Sequence, residues 1–146
     1  SRPLSDPFPV TIYHNPKCGT SRNVLAMIRA AGHEPEIVEY IQTGWGREQL
    51  TELLHVMNAT AREVMRVKGT PAEELGLTDP NTADEVIFEA MLEHPILVNR
   101  PIVVTPSGTR LCRPSEAVIA LLDSFPDSFT KEDGETVYRK DDAPTL

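Results

Sequence analysis

The most informative residue of this sequence is Cys18, which lies in the polar segment His-Asn-Pro-Lys-Cys-Gly-Thr-Ser-Arg, residues 14–22. A run of β-forming residues precedes this segment and a helical spacing of apolar residues follows it, so the cysteine is predicted at the start of a helix. Backbone N–H groups at a helix start stabilise anions, and a thiol reacts faster when its thiolate is stabilised. The basic side chains of His14, Lys17 and Arg22 add positive potential. These polar neighbours favour a reactive thiol over a buried structural cysteine.

The spacing around Cys18 argues against three other kinds of site. Ser21 stands where a C-x-x-C redox motif has its second cysteine, so a disulfide of Cys18 requires an outside thiol or Cys112. A phosphatase loop of the type C-x5-R places an arginine six residues after its nucleophile, where this chain has Val24. The four histidines have no ligand spacing with either cysteine, so no metal is expected.

Three arginines stand beside apolar residues or prolines, at positions 66, 100 and 113. Such residues are commonly solvated charges, but three that converge would form a cradle for an oxyanion, because the guanidinium fork binds oxyanions through two donors. The sequence alone leaves both possibilities open. For His14, action on the thiol and a simple bond to the backbone are also both open. Cys112 lies in a β-type run and is expected to be a core residue.

Hydrophobic periodicity predicts the elements that must position these residues. A capping box over residues 82–85 and a cap at Ser115 are predicted to begin two of the helices. The order β-α-β, several helices, then β-β-α is that of a thioredoxin-like mixed α/β sheet with a helical region inserted between the second strand and the C-terminal hairpin. The predicted strands are 10–14, 37–41, 102–105 and 109–112, and the predicted helices are 21–31, 47–58, one after the capping box and one after Ser115.

The chain is predicted to form one domain over residues 10–135, with a flexible arm over 1–9 and a polar tail over 136–146. Polar and acidic residues follow Phe125, so the end of the chain is expected to be mobile. The 146 residues carry a formal net charge of −8, which argues against non-specific nucleic-acid binding. No apolar stretch is long enough to span a membrane, and the first residues have no secretory pattern. Two cysteines give no disulfide framework, so a cytoplasmic location is expected.

The sequence resembles the glutaredoxin-coupled arsenate reductases of bacteria from about residue 10 to about residue 135. Three segments carry the resemblance: TIYHNPKCGTSRN at 11–23, EELGL at 73–77, and above all HPILVNRPIVVTPSGTRLCRPSE at 94–116. The resemblance implies a thioredoxin-like fold and the reduction of arsenate to arsenite. The cysteine of the first segment matches Cys18, whose thiolate would attack the arsenic of bound arsenate.

The resemblance also implies the electron donors and the residues that bind the substrate. Glutathione would act as co-substrate and leave a mixed disulfide on Cys18, which glutaredoxin would resolve, and no bound cofactor is expected. The histidine of the motif, matching His14, would activate the thiolate. The groups that would bind the arsenate are three arginines and the N–H groups at the start of the helix: Arg66, Arg100, Arg113, Gly19 and Thr20.

Two other functions are compatible with parts of this pattern. A glutathione-dependent thiol oxidoreductase with another substrate would share the cysteine motif but would not need the complete set of arginines. A redox-sensing regulator that binds RNA polymerase would share the architecture, but such proteins usually carry C-x-x-C near the start, where this chain has Ser21.

Overall fold

The structure is a computed structural model that describes residues 7–139, and its backbone contacts divide these residues into two compact units. The sheet unit comprises residues 7–38 and 100–139, and the helical unit comprises residues 39–99. In the sequence, the helical unit occupies the place of the predicted insertion between the second strand and the C-terminal hairpin. The predicted arm and tail fall mostly on residues 1–6 and 140–146, which lie outside the described residues.

The sheet unit contains a mixed sheet of four strands in the order β2-β1-β3-β4. Strand β1 pairs in parallel with β2 and antiparallel with β3, and β3 forms an antiparallel hairpin with β4. Ile12, in the middle of β1, stands opposite Ile37 on one side and Val103 on the other. This mixed sheet agrees with the predicted α/β class. The strands are β1 Thr11–Tyr13, β2 Glu36–Val38, β3 Ile102–Thr105 and β4 Gly108–Leu111.

Helix α1, Gly19–Ala30, follows β1 and buries one face that repeats with helical spacing. The apolar members of this face are Val24, Met27 and Ile28, each fully buried. The helix ends as predicted, because Gly32 adopts a positive φ of 91°, a conformation that glycine reaches without steric cost. It begins two residues earlier than predicted, with Cys18 as its N-cap residue.

The core of the sheet unit lies between the sheet, α1 and a 3₁₀ helix, Ser115–Leu121. The sequence predicted an α-helix capped by Ser115. The element is instead a 3₁₀ helix, and Ser115 does not cap it. Pro114 occupies the N-cap position, and the buried hydroxyl of Ser115 donates to the Glu116 carboxylate at 3.3 Å instead of capping. The core residues are Val10, Ile12, Val24, Met27, Ile28, Val103, Cys112, Val118, Leu121, Phe125 and Val137.

The polar segment after Phe125 was predicted to be mobile at its end, and this stays a prediction because residues 140–146 lie outside the described residues. Residues 128–138 of the segment contain a hairpin that the sequence did not predict. Strands β5, Ser128–Thr130, and β6, Thr136–Tyr138, form an antiparallel hairpin. Val137 is buried in the core of the sheet unit, so the hairpin is held by hydrophobic contact as well as by backbone pairing. Regular structure therefore continues past the predicted domain boundary at residue 135.

The helical unit consists of four α-helices and a short 3₁₀ helix. The predicted strand over 37–41 ends at Val38, because Tyr40 begins a helix and its hydroxyl donates to the carbonyl of Val98 at 2.5 Å. None of the helices in the described part of the chain is long and apolar enough to cross a membrane. The helices are α2 Tyr40–Thr43, α3 Arg47–Met57, α4 Ala61–Val64, α5 Asp84–Glu93 and the 3₁₀ helix Pro95–Leu97.

The predicted capping box over residues 82–85 does not form. Ala83 is the N-cap residue of α5, and the hydroxyl of Thr82 donates to the carbonyl of Gly76 at 2.7 Å. The carboxylate of Asp84 instead accepts from the backbone N–H groups of Ala61 and Arg62, at the start of α4. The polar residues at this position thus connect α5 to α4 rather than capping their own helix.

Candidate active site

Cys18 lies at the junction of a short loop after β1 and the first turn of α1. Its N–H donates to the carbonyl of Asn15 at 3.0 Å, and its carbonyl accepts from the N–H of Arg22 at 2.9 Å. The side-chain oxygen of Asn15 also accepts from the N–H of Lys17 at 3.0 Å, which tightens the loop. These bonds fix the backbone on both sides of a cysteine that is only 8% exposed.

Burial and polar contacts act in opposite directions on the pKa of the Cys18 thiol. Burial is the largest contribution and raises the pKa, but the Ser21 N–H, Arg100 and Arg113 together outweigh it and lower the pKa from 9.0 to about 7. The side chain makes no capping hydrogen bond of ordinary geometry, so the Ser21 N–H acts as a polar contact that stabilises negative charge on the sulfur. A large fraction of the thiol is therefore ionised near neutral pH, as a nucleophilic cysteine requires.

Two of the three predicted arginines lie beside this thiol. The Nη1 atom of Arg113 is 3.8 Å from the Cys18 sulfur and donates to the carbonyl of Arg100 at 3.0 Å. Arg100 itself is only 8% exposed, and its guanidinium lowers the pKa of the thiol through a hydrogen bond and its charge. Both arginines directly precede a cis-proline, and the two segments are joined by a bond from the Cys112 N–H to the carbonyl of Pro101.

The third predicted arginine, Arg66, lies in the helical unit just after α4. Its N–H donates to the carbonyl of Leu97 at 2.8 Å. Its guanidinium donates through Nε to the Lys68 carbonyl at 3.1 Å and through Nη1 to the Asn99 side chain at 3.3 Å. The guanidinium is therefore oriented by its own surroundings, and a role for Arg66 in substrate binding stays a prediction.

His14 is buried and its Nδ1 atom lies 2.6 Å from the hydroxyl of Ser21. The same hydroxyl accepts from the N–H of Asn15 at 3.1 Å. His14 is thus linked to the residue whose N–H stabilises the thiolate, and direct activation of Cys18 by His14 stays a prediction. Sequence reasoning considered Ser21 only as a missing second cysteine. The signal it overlooked was a polar residue on the buried face of α1, three positions after the nucleophile.

Gly19 and Thr20 are the first two residues of α1. N–H groups in the first turn of a helix have no partner within that helix, so they are available to an anion. Their predicted role in substrate binding stays a prediction.

Cys112 is fully buried, and burial raises the pKa of its thiol to about 12. It is therefore a core residue, as predicted, and not a reactive thiol. Within residues 7–139, no group of three His, Cys, Asp or Glu side chains lies close enough to hold a metal ion.

Comparison with known proteins assigns the family. The model of the ArsC family matches residues 13–121, which include Cys18 and all three predicted arginines. This chain belongs to the ArsC family. The arsenate reductase of Rhizobium meliloti (strain 1021) is 58% identical over 129 residues, covering 88% of this chain and 92% of that protein. The arsenate reductase of Escherichia coli (strain K12) is 53% identical over 129 residues, again covering 88% of this chain and 92% of that protein.

The fold of this ArsC family member is also that of a solved relative. A structure described as an arsenate reductase from Vibrio cholerae superposes with a TM-score of 0.74 at 39% identity. The match covers 80% of this chain and all of the other. The predicted thioredoxin-like class and the resemblance to the arsenate reductases are confirmed.

Proposed function

We propose that this protein reduces arsenate to arsenite, with Cys18 as the nucleophile. The observation that carries the proposal is a cysteine with a lowered pKa at the start of a helix, held beside Arg100 and Arg113. A thiolate next to two guanidinium groups suits an anionic substrate, because the same cations stabilise the nucleophile and attract the oxyanion. The relatives named as arsenate reductases support arsenate as that oxyanion.

Substrate binding would use the charged groups around the thiol. Arg100 and Arg113 would each bind one or two arsenate oxygens, and Arg66 would supply a third guanidinium. The N–H groups of Gly19 and Thr20 would complete the anion site at the start of α1. Each charge-assisted bond of this kind contributes on the order of 1.5–3 kcal/mol.

The reaction begins with attack of the Cys18 thiolate on arsenic. An S–As bond forms, and one arsenate oxygen leaves as water after it has been protonated. The thiolate of glutathione then attacks the Cys18 sulfur, so that a disulfide bond forms and the S–As bond breaks. The electron pair of that bond stays on arsenic, which is reduced from As(V) to As(III), while the two sulfurs are oxidised to a disulfide.

Glutaredoxin would restore the enzyme by taking the glutathione from Cys18. Ser21 supports a donor of this type, because the motif lacks the second cysteine that would resolve an oxidised Cys18 within the protein. Cys112 is a poor substitute, since its thiol is fully buried and its pKa is raised. A cytoplasmic location belongs to the same proposal, because glutathione is kept reduced there.

A coupled assay tests the proposal. Arsenate, glutathione, glutaredoxin and glutathione reductase are mixed with the protein, and oxidation of NADPH is followed. We expect oxidation that requires arsenate, glutaredoxin and the protein together, and that is abolished by Cys18→Ser. Folded protein that gives no arsenate-dependent signal would contradict the proposal and would favour a thiol oxidoreductase with another substrate.

A further inference from the structure

The turn between β5 and β6 is attached to the N-terminal part of α1 at two points. The carboxylate of Glu132 accepts from Arg22 Nε at 2.9 Å and from Arg22 Nη2 at 3.0 Å. The N–H of Glu132 donates to the side-chain oxygen of Asn23 at 3.0 Å. Pairing of a guanidinium with a carboxylate through two parallel bonds fixes the plane of the guanidinium as well as its position.

The same guanidinium contacts the loop that carries the nucleophile. Its remaining nitrogen, Nη1, donates to the carbonyl of Pro16 at 2.8 Å, two residues before Cys18. Its Nη2 atom lies close to Gly19, because a Cβ atom at that position would be 3.7 Å from it. All three guanidinium nitrogens of Arg22 are thus engaged, two with the hairpin and one with the loop. The bond to Glu132 decides where the third nitrogen points.

We propose that Glu132 is a positioning residue for the Cys18 nucleophile. By orienting Arg22, it maintains the bond to Pro16 and holds the backbone of residues 15–18 in the conformation that places the thiolate against Ser21 and Arg113. The inference rests on the proposed function for the identity of the nucleophile. It gives the hairpin a role at the active site, through a residue that touches neither the thiol nor the substrate.

A purely electrostatic role for Glu132 would give the opposite effect. The charged groups that act on the thiol are Arg100 and Arg113, and Arg22 is coupled to it through its charge. If the carboxylate only offset the charge of Arg22, its removal would leave that charge uncompensated and would lower the pKa of the thiol. If it positions the loop, its removal weakens the contacts that stabilise the thiolate and raises that pKa. The sign of the shift therefore separates the two roles.

The test measures the rate at which iodoacetamide alkylates Cys18 as a function of pH, in the full-length protein without arsenate. Glu132→Gln removes the carboxylate but keeps the backbone bond to Asn23. Arg22→Lys keeps the charge but cannot bond to two carboxylate oxygens and to Pro16 at once. We expect both variants to raise the thiol pKa by about 0.3–0.5 units and to slow alkylation at pH of about 6.5 two- to three-fold, since exposed hydrogen bonds contribute modestly.

Glu135→Gln is the matched control, because it removes the same charge from the same hairpin but its carboxylate pairs with Lys131. We expect this control to leave the thiol pKa unchanged. An unchanged or lowered pKa in Glu132→Gln, or an unchanged pKa in Arg22→Lys, would overturn the inference while the wild-type thiol remains reactive. A wild-type thiol that titrates like an ordinary cysteine would instead contradict the proposed function, and the inference with it.

Discussion

Replacing Arg113 by glutamine should raise the pKa of the Cys18 thiol by removing a nearby positive charge. The Nη1 atom of Arg113 lies 3.8 Å from the sulfur. The arginine is exposed while the sulfur is buried, so the dielectric constant of water sets a lower limit on their interaction energy. Coulomb's law then gives about 1 kcal/mol for this pair. That energy corresponds to about 0.8 pKa units. We therefore expect the pKa to rise from about 7 to nearly 8.

The ultraviolet absorbance of the thiolate, followed through a pH titration, measures this shift directly. At neutral pH the ionised fraction should fall from about one half to about one seventh, and alkylation should slow three- to four-fold. Cys112 does not interfere, because it is fully buried and its pKa is about 12. Arg110→Gln, at an exposed position of β4 three residues before Arg113, is the control for a general loss of charge. A pKa that stays near 7 in Arg113→Gln, or moves equally in the control, would show that Arg113 does not stabilise the thiolate.

Three further predictions follow from other residues. Arg66→Ala should raise the KM for arsenate about 10- to 100-fold if the guanidinium makes a charge-assisted bond to the substrate. An unchanged kcat/KM would show that Arg66 does not bind the substrate. Cys112→Ala should keep arsenate reduction. It should lower the free energy of unfolding, measured by urea denaturation, by about 1 kcal/mol because it removes a buried sulfur. Loss of turnover in folded protein would contradict a purely structural role for Cys112. The Cys18 pKa of about 7 lies below its ordinary value of 9.0, so the unfolded protein binds more protons between these values. The free energy of unfolding of the wild type, relative to that of Cys18→Ser, should therefore rise by up to about 2–3 kcal/mol between pH 7 and 9. This stabilisation should be lost as the pH falls back through 7. A difference in unfolding free energy that does not change with pH would exclude an ionised thiol.

Local patterns made the sheet unit predictable. The spacing of Val24, Met27 and Ile28 predicted both α1 and its buried face, and Gly32 predicted where the helix ends. The polar residues around Cys18 predicted a reactive thiol at the start of that helix. These signals come from residues close in sequence, where the periodicity of helix and strand determines which side chains share a face.

Contacts between distant residues could not be predicted in this way. The hairpin β5–β6 has three-residue strands and a charged turn, so its composition is like that of a mobile tail. Its contacts with the core come from Val137, which is buried, and Phe129, which is partly buried. The pair between Arg22 and Glu132 joins residues 110 positions apart, and no local pattern indicates it. The capping box at residues 82–85 failed for a related reason, because Thr82 and Asp84 bond to residues outside their own helix.

The proposed reaction requires the Cys18 sulfur to react with arsenate and then with glutathione. Mass spectrometry of the intact protein, incubated with arsenate and glutathione but without glutaredoxin, detects the product of both steps. We expect one added glutathione on the wild type, located at Cys18 by peptide mapping, dependent on arsenate and missing from Cys18→Ser. An adduct that forms equally without arsenate, or that persists on another residue in Cys18→Ser, would contradict this role of Cys18.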